Sequence, residues 1–317
     1  MRNNKPKIVV SGSLAYDQIM DFPGRFSDHI LPTEIHNLNL SFFLSKSRQS
    51  FGGTAGNIAY NLALLQEKPI ILGIAGFDFG DYKEWLKKGG VDLSRIRIVS
   101  SDRTAAAHII TDQADNQIAA FYPGARPKDY ARSASALKNI DLAIIAADDK
   151  QRMLGYAAVY QKNRIPYIFD PGQALIAFSS PELKKSIQGA KVLIGNDYEI
   201  KLIADKMKLP FSRLIKMVKI LIITLGSQGS KIYSAGQEII IKPAKPKNTS
   251  DPTGAGDAYR AGLIKGLIKG YNLKTCGQLA GLVAVYTVEK FGTQTHRFSL
   301  AELKKRYYRN YKERLII

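Results

Sequence analysis

The sequence predicts an α/β fold: a mainly parallel central sheet flanked by helices, with a small second sheet beside it. Three observations carry that expectation. Short apolar runs alternate with segments of helical spacing along most of the chain, the pattern of strand–helix–strand units. Several runs end in polar, glycine-containing turns, "DPG" at Asp170–Gly172, "GND" at Gly195–Asp197 and "LGS" at Leu225–Ser227. Such turns suit the carboxyl ends of parallel strands, where ligands gather. Two stretches, Tyr16–Gln49 and Thr104–Tyr122, break the alternation after early sheet elements and would pair into a flap over the sheet's open side.

In chain order, "KIVVSG" (Lys7–Gly12) reads as a buried first strand. "NIAYNLALLQ" (Asn57–Gln66) has apolar residues at helical spacing, and "PIILGIAG" (Pro69–Gly76) is again a strand. "DYKEWLKKGG" (Asp81–Gly90) is an amphipathic helix closed by glycines, which suit a C-terminal cap. "TAAAHIITDQADNQIAAFY" (Thr104–Tyr122) reads as a hairpin turning at Ala114–Asn116. "DLAIIAA" (Asp141–Ala147) is a strand and Gln151–Gln161 a helix. "PYIFD" (Pro166–Asp170), "KVLIGN" (Lys191–Asn196) and "KILIITLG" (Lys219–Gly226) are three more buried strands with helices between them.

A chain of 317 residues suffices for one large α/β domain or two small ones. It carries no linker, low-complexity segment or internal repeat, so residues 1–317 read as one domain with a flap of about 14–50 and 101–123. The longest apolar runs, such as Ile220–Thr224, fall far short of the roughly 20 residues a membrane span needs. Near the start only Ile8–Val10 is apolar, too short for a signal-peptide core. Cys276 is the single cysteine, which excludes an internal disulfide framework and a cysteine-ligated zinc site. Together these features predict a cytoplasmic protein. The net charge of +19 attracts polyanions. The lysines are spread along the chain, with short clusters such as Lys242–Lys247 and no basic stripe interleaved with aromatics. Specific nucleic-acid binding is therefore not expected, and the same field suits an anionic nucleotide.

The stretch "DPTGAGDAYRAGLIKGL" (Asp251–Leu267) opens a helix with two glycines. Helix-start N–H groups are unpaired and carry partial positive charge, so Gly254, Ala255 and Gly256 could aim amides at an anion. Asp257 at the rim could take a proton from an attacking hydroxyl. It could equally cap the helix, and spacing alone leaves the two readings even. "TLGSQGS" (Thr224–Ser230) offers hydroxyls and bendable backbone for a nucleotide phosphate, or is a tight turn. "FGGTAGNIAY" (Phe51–Tyr60) sets Asn57 near a helix start, where it serves either a polar ligand or a cap. No "GK[ST]" follows, so it is not a Walker loop. Asn196 and Glu199 share a helical face and could hold magnesium through water or form a capping box. The histidines His29, His36, His108 and His296 show no metal spacing. Cys276 sits in an apolar helical pattern as a core residue.

"DPTGAGDAYRAGLI" matches throughout the C-terminal signature of the ribokinase-like, phosphofructokinase-B-type carbohydrate kinases. "GGTAGN" resembles that family's N-terminal glycine signature, although Gln66 stands where a small residue is expected. "NDYE" and "TLGSQG" follow in the family's order, and the resemblance spans the chain from the first strand to "FGTQ" at Phe291–Gln294. "DFPGRFSDHILP", "LSFFL" and "FYPGA" further resemble the bacterial adenosine kinases of the mycobacterial type.

The resemblance implies an ATP-dependent phosphotransferase acting on a primary hydroxyl, with adenosine converted to AMP. A ribokinase- or fructokinase-like sugar kinase is the alternative; a non-catalytic nucleotide or nucleic-acid binder is the distant one. By resemblance, Asp257 would be the general base and Gly254, Ala255 and Gly256 the anion hole. Asn196 and Glu199 would organise Mg2+ and its waters, and Thr224, Gly226 and Gly229 would line the ATP site. Asp17 would bind the vicinal hydroxyls of the sugar, with Gly53 and Asn57 completing those contacts. Phe121 would stack on the base and Gln173 reach it. Asp251 and the Phe291–Gln294 loop would border a monovalent-cation site, usually K+. The flap matches the family's lid, which often also forms a homodimer contact. On the first lid-hairpin strand Ala107 replaces an aromatic residue that would form one wall of the base pocket, leaving Tyr122 or a partner subunit's lid to supply it. The one base, amide cradle and metal-organising pair match what phosphoryl transfer requires.

Overall fold

The computed structural model describes residues 6–30, 40–114, 116–126, 134 and 137–317. In chain order the strands are β1 (Ile8–Ser11), β2 (Ala15–Asp21), β3 (Lys46–Gly52), β4 (Ile70–Gly76), β5 (Ile96–Val99), β6 (Ala105–Thr111) and β7 (Gln117–Tyr122). Then come β8 (Leu142–Ile145), β9 (Tyr167–Phe169), β10 (Val192–Asn196), β11 (Ile220–Thr224), β12 (Ser230–Ser234) and β13 (Gln237–Ile241). The helices are α1 (Thr54–Leu64), α2 (Gly80–Lys88), α3 (Lys150–Lys162), α4 (Ser180–Gln188) and α5 (Asp197–Met207). After them lie α6 (Phe211–Ile215), α7 (Ala255–Ile268), α8 (Leu273–Val288) and α9 (Leu300–Tyr311).

The large sheet has nine strands in the order β13-β12-β11-β10-β9-β8-β1-β4-β5. All pair in parallel except β12 and β13, an antiparallel ribbon at one edge. The central strands are apolar throughout because both faces are covered. Ile8 and Val10 of β1 pack with α1, α2, α7 and α8, while Val9 packs on the opposite face with α3, α4, α5 and α6. Helix α9 forms an outer layer, laying Leu303 and Tyr307 on Leu279, Leu282 and Val283 of α8.

The two sequence stretches that break the alternation build a separate four-stranded sheet, β3-β2-β6-β7. Its register sets Ser50, Asp17, Ala107 and Phe121 side by side in one row. The hairpin turn is gathered by Asp112, whose carboxylate accepts the N–H groups of Ala114 at 2.8 Å and Asn116 at 2.9 Å. His36 and part of "DFPGRFSDHILP" lie outside the described residues.

Helix α1 begins three residues before the expected Asn57, at Thr54 after Gly53. Asn57 therefore lies within the helix and is buried. Strands β5, β12 and β13 were not among the expected strands. Their burial is interrupted by exposed positions, so they lack the continuous apolar run that marks the central strands.

Candidate active site

The chain runs outward from β1 to β4 and β5, then returns to place β8 on the other side of β1. The order of strands reverses there, and such a switch point opens a crevice beyond the carboxyl ends. The segments leaving the two strands are held together by the Ser13 N–H, which donates to the Ala147 carbonyl at 3.3 Å. A cavity at this place is lined by Ser13, Ala147, Asp148, Arg152, Phe121 and Gln173, among others. Phe121 is 62% exposed, an open aromatic face on the rim. In the wall, Asp148 and Arg152 form a buried two-point ion pair.

Helix α7 points its N-terminus toward the same region. Gly254 precedes it in the left-handed conformation, φ +78°, and a Cβ there would also press on Thr293 at 3.0 Å. Glycine satisfies both constraints. The Ala255 N–H turns back to the Pro252 carbonyl at 3.1 Å. Of the three amides expected to face an anion, that one is engaged within the loop in this structure.

Asp257 stands in the first turn of α7. Its Oδ2 accepts the Asn57 Nδ2–H at 2.8 Å. Desolvation is the largest influence on its carboxyl and pushes the pKa up to about 7; Asn57 and Arg260 oppose that shift, and Asp170 and Asp17 reinforce it. Arg260, on the same helix, is buried and makes a two-point pair with Asp170, both contacts at 2.9 Å. Its third donor reaches the Gly256 carbonyl at 3.2 Å, tying the glycine turn to the end of β9. On the small sheet, desolvation and then the charge of Asp251 push the Asp17 carboxyl up to about 6.

Tyr122 is not the missing wall of the pocket. Successive strand residues face opposite ways, so Tyr122 turns away from the face that carries Phe121. It lines a different cavity with Tyr16, Gln49 and His108 and hydrogen-bonds Asp102. The Asp17 face carries Ala107 and Phe121, with no aromatic at the Ala107 position.

Asn196 and Glu199 form the capping box of α5: Asn196 Oδ1 accepts the Glu199 N–H at 2.7 Å, and Glu199 Oε2 accepts the Asn196 N–H at 2.8 Å. Burial raises the Glu199 pKa above the usual range, helped by Asp170 and opposed by the Asn196 N–H and Arg260. Thr224 ends β11, and Gly226 and Gly229 bracket the single turn after it. Asp251 Oδ1 accepts the Thr253 N–H at 2.9 Å and Oδ2 the Gly292 N–H at 3.0 Å, latching the glycine turn to the Phe291–Gln294 loop. Cys276 is buried and its thiol pushed up to about 12 by desolvation. His296 is buried too and is depressed to about 4 by desolvation. Among the described residues, no three His, Cys, Asp or Glu side chains converge as a metal cluster, and no helix is long and apolar enough to cross a membrane.

The pattern of the pfkB family carbohydrate kinases matches residues 10–298. The chain belongs to that family. A nucleoside kinase of Methanothermobacter thermautotrophicus is 34% identical over 274 residues, which cover 85% of this chain and 88% of that protein. The nucleoside kinase of Methanocaldococcus jannaschii is 33% identical, covering 81% and 85%. Among solved structures, a Burkholderia thailandensis nucleoside kinase in complex with inosine is 35% identical, covers 97% of this chain and all of that one, and superposes with a TM-score of 0.86.

As a pfkB family member with nucleoside kinase relatives, the protein is an ATP-dependent nucleoside or sugar kinase acting on a hydroxyl group. Its ribokinase-like fold is shared with those relatives. The structure brings Asn57 onto Asp257, Asp251 onto the Phe291–Gln294 loop, and Phe121 and Gln173 onto one cavity. Sequence reasoning missed Arg260, Asp170 and the Asp148–Arg152 pair. Arg260 lies three residues beyond Asp257, the spacing that puts two side chains on one helical face. That spacing was a signal for its place in the site. Its partner Asp170 is 90 residues away in sequence, and no local pattern joins them.

Proposed function

We propose that this protein is a cytoplasmic nucleoside kinase that moves the γ-phosphoryl group of ATP to the 5'-hydroxyl of a nucleoside, with adenosine as substrate and AMP as product. The observation that carries this reading is the row Asp17–Ala107–Phe121 on one face of the small sheet. A carboxylate able to bind vicinal hydroxyls and an aromatic able to stack on a base lie two strand spacings apart, about 10 Å. That separation suits a ribose at one end and a nucleobase at the other. The relative captured with inosine supports a purine nucleoside.

In this reading the small sheet is a lid on one kinase domain, with Gly53 and Asn57 completing the sugar contacts and Gln173 reaching the base. Asp257 takes the proton of the 5'-hydroxyl as the oxygen attacks the γ-phosphorus and the bond to the β-phosphate bridging oxygen breaks, releasing ADP. The amides at the start of α7 face the transferring group, and Thr224, Gly226 and Gly229 border the nucleotide. The second Glu199 oxygen, not engaged by the capping box, fits a hard-cation shell. Asn196 and Glu199 would thus hold Mg2+ through water, which neutralises phosphate charge when bound. Asp251 and the Phe291–Gln294 loop would border K+, tested by comparing turnover in potassium and choline chloride. The lid edges would join two subunits, tested by light scattering.

The exposed single wall at Phe121 also favours a second reading, a sugar kinase with no base to sandwich. Parallel assays with adenosine, inosine, ribose and fructose separate the two. Turnover of ribose or fructose with the nucleosides inert would overturn the first reading. Asp257→Asn should lower kcat by about 10²–10⁴-fold with ATP binding retained. Normal turnover in that variant would remove Asp257 from its role.

A further inference from the structure

Behind Asp257 runs a chain of hydrogen bonds whose direction is fixed at its far end. Trp85 Nε1–H donates to Gln294 Oε1 at 3.1 Å. Gln294 Nε2–H donates to Asn57 Oδ1 at 3.0 Å and to the Tyr82 hydroxyl at 2.6 Å. Asn57 Nδ2–H donates to Asp257 Oδ2 at 2.8 Å. Gln294, Asn57 and Tyr82 are buried, so an unmatched polar contact there would be destabilising. An indole N–H can only donate. It therefore dictates which way the Gln294 amide faces, and Gln294 dictates which way the Asn57 amide faces. Tyr82 gives its own proton to the Gly52 carbonyl at 2.8 Å and so accepts from Gln294. Reversing either amide would set oxygen against oxygen.

We infer that Gln294 and Trp85 are positioning residues for phosphoryl transfer: they lock the Asn57 amide so that it presents N–H to Asp257 Oδ2 and leaves the other Asp257 oxygen, Oδ1, to take the proton of the hydroxyl. This inference rests on Asp257 being the base. The other groups facing that carboxylate are Arg260 from its own helix, Asp170 from the end of β9 and Asp17 from β2. None of them can fix the orientation of the Asn57 amide, because none donates to or accepts from it among the described contacts.

Gln294→Met keeps volume and removes every donor. It should lower kcat about 10- to 100-fold, leave KM for ATP within twofold, and move the acidic limb of the kcat/KM profile to higher pH. Trp85→Phe keeps the ring packing against Phe51 and Tyr60 and removes only the N–H. It should lower kcat about 3- to 10-fold, and the double variant should be no slower than Gln294→Met alone. Circular dichroism and thermal melting report folding, and if Gln294→Met does not fold, Trp85→Phe decides. Wild-type kcat in the folded variants, an unmoved pH limb, or fully additive losses would overturn the inference. If Asp257→Asn keeps normal turnover, the assignment of the base fails and takes this inference with it. If Asp257→Asn is inactive while Gln294→Met is fully active, only the positioning role fails.

Discussion

Asp257 combines two properties that pull in opposite directions. Desolvation raises its pKa from 3.8 to about 7, which makes it a stronger proton acceptor and also makes its charged form costly to hold. As the proposed base, Asp257 would have to be ionised to act, so kcat/KM should fall with unit slope as pH drops below about 7, measured as initial rates at limiting nucleoside. The same shift has a stability consequence of fixed sign. Between the unfolded value of 3.8 and the folded value of about 7 the native state binds more protons than the unfolded chain, so stability declines as pH rises through that window. Asp257→Asn abolishes the decline. Its melting temperature should exceed that of the wild type at pH 8, and the gain should shrink as pH falls toward 3.8, where the unfolded carboxyl is itself half protonated. A variant less stable at pH 8 would contradict the desolvation account.

At the scale of the element, the pairing register of the small sheet sets which side chains would meet the substrate in the proposed reading. Phe121 and Tyr122 are adjacent in sequence, yet only Phe121 faces the site. A one-residue slip would exchange them. Loss of a stacking face is worth about 1–3 kcal/mol, so Phe121→Ala should raise KM for adenosine by roughly 5- to 150-fold with KM for ATP unchanged. Ala107→Phe places a second ring beside Phe121 in the same row and should lower KM for adenosine several-fold. Steady-state kinetics on both substrates read both effects, and equal changes in the ATP constant would point to a disturbed fold. The central strands were legible because burial on both faces gives uninterrupted apolar runs, as in "ILIIT" of β11. The small sheet was legible as a break in the alternation. Its register was not, because which residue of a strand faces the site depends on partners supplied by another segment. The capping box at Asn196–Glu199 is local and was visible as a pattern.

The whole molecule joins groups that no local pattern connects: Asn57 meets Asp257 across 200 residues, and Trp85 meets Gln294 across 209. Sequence reading reached Asn57 and Asp257 through their motifs, while Trp85 looked like one apolar position of an amphipathic helix. The same scale governs charge. Asp17 and Asp257 are each raised chiefly by desolvation, with Asp251 adding to the first, and with Asp170 and Asp17 adding to the second against Asn57 and Arg260. The chain around them carries +19. Long-range attraction should therefore act on an anionic nucleotide during approach and weaken as salt screens it. The Debye length falls from about 30 Å at 0.01 M salt to about 8 Å at 0.15 M. Raising salt over that range should lower kcat/KM for ATP about 3- to 10-fold while kcat stays nearly constant. Stopped-flow nucleotide binding should place the change in the association rate. A labelled DNA duplex titrated under the same conditions should lose its binding at 0.15 M salt, because scattered lysines without stacking aromatics offer a polyanion only screened charge. A kcat/KM independent of salt would mean that the basic residues act as isolated solvated charges and give the nucleotide no guidance.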